Sequence, residues 1–133
     1  MPPVSIRRVE DLKWEYGPEV APDTEDKQRA GRCFHHPGTE SAPQLFEVKL
    51  RPNQIVAPHA HEHNEIIYIL SGELRLGNSL LQAGSSIAIL GETIYGFSAG
   101  SQGVHFLNFR PCLEIGQLTV DEINARRGRV SSL

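Results

Sequence analysis

Residues 58–65 read Pro-His-Ala-His-Glu-His-Asn-Glu, so three of the six histidines, His59, His61 and His63, fall within five positions. Successive side chains of an extended chain alternate between faces, which puts His59, His61 and Glu65, spaced by two and four, on one face. That face continues into Ile67 and Ile69 and is therefore an inner face, where polar groups are costly unless paired or coordinated. Two imidazoles and a carboxylate suit Zn, Fe, Mn, Ni or Co, and three protein ligands leave coordination positions open for chemistry. The spacing thus predicts a metal site on His59, His61 and Glu65. His63 shares their parity and turns inward on an uninterrupted strand, or outward if the chain turns after His61.

The elements that must position these groups read as all-β. From Cys33 to Arg110, short alternating or β-branched runs are separated by turn formers every eight to twelve residues or so. In 45–50, Phe46, Val48 and Leu50 point one way while Glu47 and Lys49 point the other. Further strands are expected over 65–70, 73–76, 79–82, 86–90, 93–97 and 104–110. Turns are expected at Ser71-Gly72, Gly77-Asn78, Ala83-Gly84 and Gly91-Glu92, with a loop over 99–103. Such a series predicts a sandwich or small barrel. The first thirty residues, with Pro2, Pro3, Pro18 and Pro22, read as an arm: a tail, or a segment that docks Trp14 on the barrel or on a second subunit. Thr119 stands three residues before Glu122 in a capping-box arrangement, predicting a short helix at about 120–127.

The inward positions Phe46, Val48, Ile67, Ile69, Ile87, Ile89 and Phe97 outline a pocket with Tyr95 as its polar wall. This lining suits a small, partly apolar organic ligand with one or two oxygens to place. Lys49 and Arg75 alternate outward and Arg110 is the one basic residue near the rim, so a highly phosphorylated ligand is disfavoured. His105 lies in a strand either of whose parity classes can face inward, and an inward His105 would be a further metal ligand. His35 and His36, beside Pro37 and Gly38, read as loop residues.

The stretch over 53–72 resembles the first motif of the cupins, G(X)5HXH(X)3,4E(X)6G. His59, His61, Glu65 and Gly72 match, and Asn53 stands at the leading glycine. The second motif, G(X)5PXG(X)2H(X)3N, starts at Gly84 but meets Leu90, Glu92, Tyr95 and Ala99 where proline, glycine, histidine and asparagine are expected. The resemblance covers about residues 40–111. It implies a cupin double-stranded β-helix, a jelly-roll-like barrel over 31–113, between an N-terminal arm (1–30) and a C-terminal extension with a short helix (114–133). It also implies a divalent metal (Fe, Mn, Ni or Zn) on His59, His61 and Glu65, with the third histidine ligand replaced by Tyr95. Three roles are open to Tyr95: metal ligand, hydrogen-bond donor to a metal-bound water or substrate, or wall residue. His63 and His105 are the alternative replacements. The functions implied are a metal-dependent non-haem dioxygenase or an isomerase or lyase, with Tyr95 and Glu65 in catalysis; the alternative is a non-catalytic small-molecule-binding or sensing cupin. A homodimer built on barrel edges is implied as well.

The composition narrows the partners further. Thirteen Lys and Arg against sixteen Asp and Glu give a net charge of -3, without the basic face a nucleic-acid binder needs. The longest strongly apolar run, Ile66 to Leu70, is too short to span a bilayer. The start of the chain shows no secretory signal, so a cytoplasmic location is expected. Cys33 and Cys112 lie far apart and read as free thiols.

Overall fold

In a computed structural model, which describes residues 2–17, 30–114 and 116–131, the alternating segments form eight strands. They are β1 (Glu15–Tyr16), β2 (Gly31–His36), β3 (Gln44–Leu50), β4 (Ile55–His59), β5 (Glu65–Leu76), β6 (Ser79–Gln82), β7 (Ser86–Ile89) and β8 (Tyr95–Arg110), followed by helix α1 (Val120–Ser131). Neighbouring strands run in the order β1-β2-β3-β8-β5-β6, with β4 also on β8 and β7 also on β5, and all pairings are antiparallel.

Two strands are much longer than the sequence suggests, and they close the barrel. The expected Ser71-Gly72 turn is a bend inside β5, and the expected loop over 99–103 is the middle of β8. The first part of β5 pairs with β7 and its last part with β6, while β8 pairs first with β4 and then with β3. Each long strand thus changes partner along its length, and the register shifts at Ile69/Ser71 and Gly72/Leu74 absorb the bend. Gly72 has φ 76°, a region that L side chains rarely adopt, and a Cβ there would strike the Gly103 carbonyl oxygen of β8. Asn53, at the other end of the motif, has φ 59°. It is a non-glycine residue doing what a glycine would do in a turn.

Ile67, Ile69, Leu74, Ile89, Ala99, Val104 and Phe106 form the core, with Ile87 packed against it. The helix starts at Thr119, whose Oγ1 accepts from the Glu122 N–H at 3.0 Å, and it buries Ile123. It runs past Gly128 to Ser131, because one glycine near a helix end is a weak stop. In the arm, Trp14 covers the barrel's outer face: its ring lies 4.2 Å from Lys49 Nζ and meets the His105 ring edge-on at 5.6 Å. Residues 18–29 of the arm lie outside the described residues. Both cysteines are free. Among the described residues, no helix is long and apolar enough to cross a membrane.

Candidate functional site

His59, His61 and Glu65 come together as parity requires, but not on one continuous strand. His59 ends β4, the chain turns at Glu62 and His63, and Glu65 opens β5. All three are buried, at 7%, 7% and 2% exposure. The turn carries His63 away from them, half-buried, with Nδ1 3.8 Å from Glu114 Oε2.

A cavity of about 550 Å³ opens beside this cluster, bounded by His59, His61, Tyr95, Asn108, Arg110 and Glu114 at its polar end. Phe34, Phe46, Val48, Leu50, Val56, Ile67, Phe97 and Phe106 supply most of its apolar wall. Of the expected pocket residues, Phe46, Val48, Ile67 and Phe97 line this cavity. Ile69, Ile87 and Ile89 do not line it: Ile69 and Ile89 belong to the core with Leu74, Ala99 and Val104, and Ile87 packs against that core.

Glu65 is held from three sides. Its Oε1 accepts from the Tyr95 hydroxyl, and its Oε2 accepts from Asn108 Nδ2 at 3.1 Å and from Arg110 Nε at 3.2 Å. The Arg110 guanidinium also donates from Nη2 to His61 Nε2 at 3.2 Å and from Nη1 to Gln44 Oε1 at 3.3 Å. A second buried carboxylate, Glu114, stands 3.6 Å from Arg110 Nε, and the Phe46 ring lies 5.2 Å from the guanidinium carbon. Arg110 does not reach the rim. It closes β8 with a buried side chain, and its charge is offset inside the barrel.

The tautomers follow from these partners. His61 Nδ1 lies 3.1 Å from the Gly116 carbonyl oxygen, which can only accept, so the proton is on Nδ1 and the Nε2 lone pair faces Arg110. Burial lowers the His61 pKa and the Arg110 charge lowers it further, so the ring is held neutral. His59 Nδ1 donates to the Ala57 carbonyl at 2.8 Å, which makes Nε2 the nitrogen open to a ligand. Burial pushes the Tyr95 phenol well above its ordinary value, and the Glu65 charge and hydrogen bond push the same way. Tyr95 is a protonated donor here, its ring centroid 4.8 Å from that of His59 and tilted by 48°.

The structure orients His105, which the sequence leaves open, and corrects the loop reading of His35. His105 faces outward, since Val104 and Phe106 on either side of it are in the core, and its Nε2 lies 2.7 Å from Glu47 Oε1. His35 sits in β2, not in a loop, with Nε2 2.6 Å from Glu47 Oε2. One carboxylate holds both imidazoles on the outer face, and those hydrogen bonds keep the Glu47 pKa below its ordinary value against the opposing effect of burial. The residues that sequence reasoning did not assign to the site are Gln44, Asn108, Arg110 and Glu114. Asn108 and Arg110 share the parity of Val104 and Phe106, which was the available signal.

Known structures share this β-barrel. An RmlC-like cupin from Ralstonia eutropha superposes with a TM-score of 0.62 at 14% identity, over 96% of this chain and 87% of that one. The chain has the cupin fold. The polyketide cyclase RemF from Streptomyces resistomycificus has this barrel too, with a TM-score of 0.63 at 24% identity over 92% of this chain and 94% of that one. So does Bacillus subtilis oxalate decarboxylase, a protein with Mn(II) centres, with a TM-score of 0.59 at 15% identity over 78% of this chain and 35% of that one. No family model and no curated protein matches the sequence.

The cupin pattern brings with it the question of a metal ion on His59, His61 and Glu65. Both Glu65 oxygens already accept hydrogen bonds, and the His61 Nε2 lone pair is taken by Arg110. Tyr95, at the position of the third histidine, spends its proton on Glu65. Among the described residues, no three His, Cys, Asp or Glu side chains are arranged to hold a metal ion. In this arrangement the donor set does not fit one.

Proposed function

We propose that this cupin is an acid–base enzyme of the isomerase or lyase type, acting on a small, partly apolar molecule that carries a carbonyl oxygen. The observation that carries the reading is that an open His59 Nε2 and the Arg110 guanidinium both line one end of a cavity whose wall also carries Phe46, Phe97 and Phe106.

A ligand with its apolar part among Phe46, Phe97 and Phe106 directs its oxygens to that end. His59 Nε2 takes a proton from the carbon beside the carbonyl, and the C–H electron pair moves into an enolate. Arg110 stabilises the oxygen that gains charge, with one N–H left on each terminal nitrogen after its bonds to His61 and Gln44. Return of the proton to another carbon completes an isomerisation, and loss of a group from the next carbon completes an elimination. Tyr95 acts as a positioning residue, since its proton is committed to Glu65 and its oxygen is left to accept from a ligand hydroxyl. The dioxygenase reading requires an ion where Arg110 stands, and is less well supported.

Proton exchange into a panel of diketones, phenols and small acids in D2O, followed by NMR, tests the reading. The wild type should catalyse exchange in at least one member, and His59→Ala should lower the rate by roughly 10²–10⁴-fold. Binding of a panel member without exchange would instead favour a sensing or binding role.

A further inference from the structure

We propose that the Arg110 guanidinium is the resident cation of this barrel, standing in the place of a metal ion, and that the protein functions metal-free. This inference rests on the contacts of Arg110 and stands apart from the reaction proposed above.

One edge of the guanidinium, Nε and Nη2, spans Glu65 Oε2 and His61 Nε2, each at 3.2 Å. His61 and Glu65 are two of the three groups that the HXH(X)3E pattern would give to a shared ion. A divalent cation could reach them only after Arg110 had left both, and the side chain is braced against leaving. Gln44 of β3 accepts from its other terminal nitrogen, Phe46 lies against its face, and Glu114 supplies a second buried carboxylate. Withdrawing a buried guanidinium from such partners leaves unpaired charge on both sides. Leaving it in place would set a double positive charge against a single one in a poorly screened cavity. The imidazole is also prepared for the arginine: the Gly116 carbonyl fixes the proton on Nδ1, so a neutral lone pair meets the guanidinium N–H. Tyr95 completes the substitution, because its hydroxyl donates a hydrogen bond to the carboxylate where a histidine would offer a lone pair to a metal.

The substitution also defines what the site takes. A metal would offer open coordination positions, whereas Arg110 offers two N–H groups in a plane, suited to a carbonyl, enolate or carboxylate oxygen.

The test is elemental analysis of tag-free protein, with calorimetric titration of Mn, Fe(II), Ni and Zn into the wild type and into the Arg110→Ala/Tyr95→His double variant. The wild type should carry under about a tenth of an equivalent, and added metal or chelator should leave its thermal midpoint unchanged. The double variant, with His61, Glu65 and a new imidazole released toward one another, should take up about one equivalent of Zn or Ni and lose thermal stability on chelation. Arg110→Lys, which keeps the charge, should stay metal-free. A wild type holding about one equivalent of any of these metals would overturn the proposal whether or not the variants fold. A folded double variant that takes up none would overturn the role given to Arg110. Proton exchange by a metal-free wild type is a separate result, so the two proposals fail independently.

Discussion

Arg110 Nε and Glu65 Oε2 lie 3.2 Å apart on side chains that are 9% and 1% exposed, joining the last residue of β8 to the first of β5. A pair this buried is weak evidence of net stabilisation, but removing one partner strands the other. Arg110→Ala should therefore cost about 3–5 kcal/mol in urea unfolding. The Glu65→Gln/Arg110→Ala double variant should lose clearly less than the sum of the single losses, because the two share one interaction.

Tyr95→Phe removes one donor from Glu65 and keeps the ring that packs beside His59. A stability loss of about 1–3 kcal/mol is expected, the range for leaving a buried acceptor unsatisfied. If Tyr95 orients the ligand as proposed, ligand affinity should fall in the same variant. Calorimetric binding together with thermal melts separates the two effects.

The pH dependence follows from His61, whose pKa is held below the ordinary 6.5 by burial and by Arg110. Below that ordinary value the unfolded chain binds a proton that the folded chain refuses, so stability rises with pH there. The His61 contribution is present above about pH 6.5 and is lost as pH falls through the lowered folded value. A His61→Gln variant should lack this component, so the difference between its melting temperature and that of the wild type should narrow on acidification through this range.

Gly72→Ala tests the bend in β5. The substitution forces an L side chain into a positive φ and against the Gly103 carbonyl of β8. A loss of about 1–3 kcal/mol from backbone strain alone is expected, with the clash adding to it. Asn53→Gly, by contrast, should be tolerated within roughly 1 kcal/mol, because glycine adopts the same φ without strain. Chemical denaturation of the two variants side by side is the measurement.

Strand existence was legible wherever one face is buried and the other wet. The alternation in β3 and the buried, exposed, buried rhythm from Glu65 to Leu70 record a single period that the chain cannot hide. Strand ends were less legible. Ser71-Gly72 and Ala99–Gly103 carry turn-forming residues, yet both lie inside long strands: Ser71 and Gly72 pair with His105 and Val104, Ala99 pairs with Leu74, and residues 100–103 are the excess taken up at the register shift between them. The orientation of 104–110 was open in the sequence because either parity puts apolar groups inside. The inward Asn108 and Arg110 are stabilised by Glu65, which is 43 and 45 residues away in the chain.

By itself the sequence determined an all-β chain and the spacing of His59, His61 and Glu65, with Asn53 and Gly72 at the ends of that motif. These depend on local periodicity and on backbone conformation, both written in neighbouring residues. Tertiary structure alone decided which cation meets Glu65. The motif prescribes a carboxylate and two imidazoles and implies a metal ion, whereas the cation beside Glu65 in the structure arrives from the far end of β8. Arg110 fills the space because its length, planar donors and charge match the acceptors left there, a match that exists once β3, β5 and β8 are side by side.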